Sequence, residues 1–332
     1  MKRNYTFIPL LLLLIVAIVA CSNNSSKSAA DNDSEGDATK ATVQVPQFSA
    51  DSAYQYIQTQ ADFGPRVPNT AAHKACGEFL AKKLEEFGAK VYNQHADLVA
   101  YDNTILKARN VIGAYNPESK RRVLLCAHWD SRPYADQDAD KTKHHSPILG
   151  VNDGASGVGV LLEVARQLQQ QAPAIGIDII FYGIPYFYQG AYKNDTWCLG
   201  SQYWGRVPHV DGYNARYGIL LDMVGGKNAT FYKEQFSQRT AGKYVNKIWN
   251  TAHRLGFGNF FPKEKGTEVT DDHMYVYNLR QIPCVDIINY DPNCDTGFGD
   301  FWHTIDDTMD IIDKGTLNAV GQTLLEVIYN EK

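Results

Sequence analysis

With 332 residues, 44% of them hydrophobic, the chain has enough apolar surface to bury one large core. Its 32 basic and 37 acidic residues leave a formal charge of −5 with no basic stripe, which excludes a nucleic-acid partner. The five cysteines after Cys21 (Cys76, Cys126, Cys198, Cys284 and Cys294) form no Cys-x-x-Cys or Cys/His cluster, so their spacing argues against a thiolate zinc site. In an exported chain Cys284 and Cys294 can oxidise to each other, a pairing the sequence leaves open.

The chain begins Met1-Lys2-Arg3, followed by an apolar run from Phe7 to Ala20 and then Cys21. A basic start with an apolar stretch shorter than the ~20 residues of a membrane span fits a secretory signal. Ile18-Val19-Ala20-Cys21 resembles a bacterial lipobox, which implies cleavage before Cys21 and lipid on its thiol; an uncleaved anchor is the alternative. We therefore expect residues 1–21 to be a lipoprotein signal with its lipidated cysteine, and residues 22–46 a polar tether without aromatics. Residues 47–332 should form a single domain on a membrane-anchored lipoprotein facing the periplasm or the cell surface.

Helices are predicted over 51–62 and 71–87, the second with Phe79, Leu80, Leu84 and Phe87 at helical spacing. A strand pattern follows over 104–114. Val123, Leu124 and Leu125 make 122–127 a strand apolar on both faces, the mark of burial in a sheet covered on each side. Val160, Leu161, Val164 and Leu168 predict a helix over 156–171 that Pro173 stops. A strand over 177–182, an aromatic-rich loop to Gly205, a strand over 218–224 and a helix over 238–255 come next. The chain closes with a strand over 283–289 and a helix over 314–330. Strands alternating with helices imply an α/β fold, a three-layer α/β/α sandwich around a mostly parallel mixed sheet.

In such a sheet, sites form past the carboxyl ends of strands. His128 and Asp130 follow the strand that ends at Ala127 and face one side, so Asp130 can orient His128 or lie behind it, and each is a candidate to stand behind a metal's ligands or to be an alternative ligand. Asp153 stands before a helix, beside Gly154 and Gly157; its carboxylate can cap that helix or ligate a metal. Asp222 lies inside the apolar run 219–224, where an unpaired charge is costly, so it needs a cation or hydrogen-bond donors. Asp271-Asp272-His273 is either a solvated loop or a pair whose mutual repulsion displaces a pKa near a site. His303, beside Trp302, is a candidate ligand, and His144-His145 reads as a surface loop.

Five segments together resemble the zinc-dependent glutaminyl cyclases, in particular their bacterial lipoprotein-type members, within the family that also holds zinc aminopeptidases. They are Ala127-His128-Trp129-Asp130-Ser131-Arg132-Pro133, the stretch 150–157 around Asp153, Trp197-Cys198-Leu199-Gly200-Ser201-Gln202-Tyr203-Trp204, Leu221-Asp222-Met223-Val224, and Trp302-His303-Thr304. The resemblance runs from about Phe63-Gly64-Pro65-Arg66 to the C-terminus. It implies a glutaminyl-peptide cyclotransferase that converts the N-terminal Gln of peptides and proteins to pyroglutamate. It also implies one zinc ion held by Asp153, a second acid and His303. Asp222 and Asp271 would handle protons, with Trp302 and Trp129 at the substrate pocket.

One segment departs from that pattern. In the family, the strand matching 177–181 continues as Phe-Asp-x-Glu-Asp or Phe-Asp-x-Glu-Glu, supplying the general acid/base and the remaining ligand. Here Phe181 runs directly into Tyr182-Gly183-Ile184-Pro185, as though about five residues were deleted. Asp178 cannot substitute, since it sits at the start of the strand, roughly 10 Å from its exit at ~3.3 Å per residue. The implied activity is therefore expected to be impaired. A zinc aminopeptidase, or a non-catalytic lipoprotein that binds peptide N-termini, are the alternatives.

Overall fold

The computed structural model describes residues 44–183 and 196–331. The expected signal with Cys21, the expected tether up to residue 43 and part of the aromatic-rich loop (184–195) lie outside the described residues. Residues 43–332 group as one compact unit.

Six strands form one sheet in the order β1-β2-β4-β3-β5-β6. They are β1 (Lys90–Val99), β2 (Ile105–Tyr115), β3 (Arg122–His128), β4 (Gly176–Tyr182), β5 (Gly218–Asp222) and β6 (Cys284–Ile288). The pairs β4/β3, β3/β5 and β5/β6 are parallel, and the hairpin β1/β2 joins β4 antiparallel. The sheet is thus the expected mixed one, with its parallel part at the site. The helices are α1 (Ala50–Asp62), α2 (Ala71–Glu86), α3 (Ala155–Gln170), α4 (Leu199–Arg206), α5 (Gln235–Arg254), α6 (Asp272–Arg280) and α7 (Lys314–Tyr329).

Strand alternation sorts the core into two layers. Val123, Leu125, Ala127, Ile177, Ile179 and Phe181 meet α1, α3, α5 and α7 on one face. Leu124, Cys126, Ile180 and Tyr182 meet Trp204 of α4 and Val276 of α6 on the other. Three elements departed from expectation. β1 carries a half-exposed polar face at the sheet edge and so shows no apolar run. The short helices α4 and α6 fall where a loop was expected, because the residues they bury are mostly small or polar and make no apolar stripe.

Asp178, at the start of β4, forms a bidentate pair with Arg122 at 2.6 and 2.7 Å and accepts from the Tyr213 hydroxyl. It is committed to the amino-end of the sheet. Cys284 is buried in β6 whereas Cys294 lies in a loop beside Thr296 and Asp300; both are free thiols, so the disulfide left open by the sequence is not formed.

Candidate active site

The carboxyl ends of β3 and β5, the turn before α3, and the loops entering α6 and α7 converge on one cavity of about 280 Å³. Gly154 holds the turn: its φ of +99° is open to glycine, and a Cβ there would meet Asp130 O and His128 Cε1 at 2.8 Å. Gly157, one turn into α3, lets the helix approach β5, since a Cβ would stand 2.4 Å from Leu221 O. The Asn152 side chain accepts from Gly225 N at 2.8 Å and the Ser156 hydroxyl from Val224 N at 2.9 Å, which ties the Asp153 turn to the end of β5. Gly154, not Asp153, occupies the N-cap of α3, so the Asp153 carboxylate is left to the cavity.

His128 Nε2 lies 3.0 Å from Asp153 Oδ1 and 3.3 Å from Asp222 Oδ1. The other Asp153 oxygen lies 3.5 Å from His303 Nε2. One carboxylate therefore sits between two imidazoles, with a second carboxylate at the same nitrogen of the first of them. Burial works against the charge on His128, but Asp153 and Asp222 outweigh it and hold the imidazole well above its ordinary range. Burial also opposes the Asp153 charge, and His128 overrides it, bringing Asp153 down to about 2. Burial raises Asp222, and burial together with Asp222 and Asp272 raises Asp271 further. These are two ionised and two proton-retaining tendencies among four groups of one pocket, the distribution that acid–base chemistry requires.

The donor set suits a divalent metal. His128, Asp153 and Asp222 offer one nitrogen and two oxygens within 4.8 Å of one another, and His303 faces Asp153 from the far side. The expected pair Asp153–His303 is brought together. His128, for which the sequence left open a place behind the ligands or a ligand role, joins Asp153 and Asp222 in the tighter group. Asp130 is buried in the cavity wall.

Two supports escaped sequence reading. Asp307, fully buried, accepts from the backbone N–H groups of Asn152 at 2.7 Å and Asp153 at 3.0 Å, fixing the turn across 155 and 154 residues of chain. Burial, then the nearby Asp153, pushes its carboxyl up to about 7. Asp136 takes a bidentate pair from Arg132 at 2.8 and 2.7 Å and lies 3.5 Å from His303 Nδ1, so it can orient that ring. A carboxylate four residues after Arg132 was the available signal for Asp136; Asp307 offered none beyond its place after His303.

The Peptidase family M28 model matches residues 110–328, most of the folded unit and all of the elements that carry the site. The chain belongs to peptidase family M28. It is 61% identical to the glutaminyl cyclase of Bacteroides thetaiotaomicron solved with N-acetylhistamine, with a TM-score of 0.85 over 87% of this chain and 100% of that one. A zinc-dependent exopeptidase of Parabacteroides distasonis is 58% identical, with a TM-score of 0.86 over 87% of this chain and 100% of that chain. The glutaminyl-peptide cyclotransferase of Drosophila melanogaster is 23% identical over 282 residues, 76% of this chain and 73% of that protein.

In this cavity, the Trp302 and His303 rings stack at 3.7 Å and both line the wall. Trp129 does not. Alternation along β3 turns it away from His128, onto the opposite face of the sheet, where it stacks on His73 at 4.2 Å and donates to Arg109 O at 3.0 Å. The substrate-pocket role is corrected to a core role. Trp129→Ala is expected to cost about 3–5 kcal/mol of stability and leave zinc stoichiometry in the folded protein unchanged, read by denaturant unfolding and metal analysis. Asp271 lines the cavity as expected and also caps α6, accepting from Asp272 N at 2.6 Å.

The Phe181–Tyr182 junction falls at the end of β4. Phe181 pairs with Ala127 and Tyr182 with His128, so the residue beside the site histidine is a tyrosine. Its ring turns into the second core layer against Trp204, and it supplies no carboxylate to the cavity.

Proposed function

We propose that this chain is a glutaminyl-peptide cyclotransferase whose turnover is impaired by the absence of the carboxylate pair after Phe181. The observation that supports it best is the cavity in which Asp153, His303, Asp222, Asp271 and Trp302 converge while β4 ends without an acid. The substrate is a peptide with an N-terminal Gln. Its neutral α-amine adds to its own γ-carboxamide carbon, the five-membered lactam closes, and the carboxamide nitrogen departs as ammonia once it gains a proton. Zinc at Asp153 and His303, when bound, polarises the carboxamide carbonyl as a Lewis acid. Asp271 and Asp222 are the carboxyl groups left in the cavity to take the amine proton, when ionised, and pass it to the leaving nitrogen, and Trp302 walls the pocket.

One observation favours a second reading. Asp153 has an imidazole on each of its oxygens, His128 on one and His303 on the other, a layout that also suits the two-metal chemistry of an aminopeptidase. Paired assays with chromogenic Gln-amide and Leu-amide substrates, with and without zinc, separate the two. Slow release of ammonia from the Gln substrate only, with the chromophore still attached to the pyroglutamate formed, is the expected result. Hydrolysis of the Leu substrate would replace the proposal, and Gln-peptide binding without any product would mark a binding protein.

The mature chain begins at Cys21 and is held to the membrane by lipid on that residue, facing the periplasm or the cell surface. The support is the order of basic start, apolar run and Ile18-Val19-Ala20-Cys21. Cys21→Ser should leave an unlipidated precursor. Wild-type and variant proteins recovered in the same soluble fraction, differing in mass only by the substitution, would end this reading.

A further inference from the structure

Cys198, Asp271 and Asp272 each place a ligand-capable atom within 4.8 Å of the others, and Cys198 and Asp272 have no part in the cluster around Asp153. They meet where two short helices begin. Cys198 precedes α4 in a left-handed conformation, Asp271 caps α6, and Asp272 is its first residue. Cys198 Sγ lies 3.9 Å from Asp271 Oδ1, and the Ser201 hydroxyl donates to Asp272 Oδ1. All three side chains are more than nine-tenths buried, at 2%, 7% and 1% exposure. Among the described residues, Asp271 Oδ2 and Asp272 Oδ2 are buried without a hydrogen-bond partner.

That arrangement is costly for a protein alone. Two neighbouring carboxyl groups keep oxygens away from water and, among the described residues, without a donor. A cation removes the cost.

We propose that Cys198, Asp271 and Asp272 form a second metal site in the cavity wall, one that takes a thiophilic divalent cation of the zinc or cadmium class. At Zn–S and Zn–O lengths of ~2.3 and ~2.0–2.2 Å, donors around a tetrahedral ion stand about 3.4–3.8 Å apart. Atoms already within 4.8 Å must therefore close by only about an ångström. Binding expels the thiol proton and any carboxyl proton. Cys198 and Asp271 line the cavity, which supplies the entry path and an open fourth position. The site shares Asp271 with the cyclase reading but does not rest on it, because it is read through sulfur and metal rather than turnover.

Crystals of the full chain soaked in zinc test it by anomalous scattering at the zinc edge. A peak within bonding distance of Cys198 Sγ is expected, distinct from any peak at Asp153, and lost in Cys198→Ser. In solution, in a Cys21→Ser background, cobalt(II) should give a thiolate charge-transfer band that Cys198→Ser abolishes and Asp153→Asn retains. If Cys198→Ser does not fold, Asp272→Asn serves instead, raising the cobalt concentration for half-saturation of the band at least about tenfold. Zinc density confined to Asp153, or a cobalt band unchanged by Cys198→Ser or Asp272→Asn, would overturn the proposal.

Discussion

Inserting Phe-Asp-Ala-Glu-Asp between Phe181 and Tyr182 is expected to raise pyroglutamate formation at least about a hundredfold, the lower end of what one general acid/base contributes. The register explains why the effect should be large. Phe181 and Tyr182 lie beside Ala127 and His128, the last positions of β3, so residues inserted there emerge at the mouth of the cavity. The inserted Glu and Asp would join Asp153 and His303, the two groups already held by Asp307 and Asp136. Zinc stoichiometry should rise with turnover, because the insertion adds a ligand as well as a base. Full activity in the uninserted chain would show that Asp222 or Asp271 has taken the role, and the deletion reading would then be abandoned while the family assignment stood.

Asp153→Ala should abolish stoichiometric zinc, lowering affinity by more than the 10–100-fold typical of changes behind the ligands. Asp153 is the group common to both candidate donor sets, 3.0 Å from His128 and 3.5 Å from His303. Its loss also leaves His128 with Asp222 as its remaining carboxylate partner. His303→Ala and His128→Ala, compared by the same metal titration, report which imidazole holds the ion. The expected result is that His303→Ala costs more. A larger loss in His128→Ala would move the metal to the His128–Asp153–Asp222 side. Unchanged zinc binding in Asp153→Ala would remove the metal reading altogether.

The apolar runs at 122–127, 177–182 and 218–222 determined by themselves that this chain builds a covered, largely parallel sheet, since such runs are stable only between two layers of helix. The motifs around His128, Asp153, Asp222 and His303 marked the strand ends and loops that carry the cavity, and the direct Phe181–Tyr182 junction marked the loss proposed above. Local sequence cannot specify which of these groups touch. The His128–Asp222 contact spans 94 residues and the Asp307–Asn152 hydrogen bond spans 155, so both depend on strand order and on how closely α3 packs against β5. The tertiary structure alone paired His128 with Asp153 and Asp222, set Asp307 and Asp136 behind the cavity, and joined Cys198 to Asp271 and Asp272. Trp129 marks the boundary between the two. Its neighbours in sequence belong to the site, but strand alternation fixes the face of each side chain, and burial against His73 gave this indole to the core.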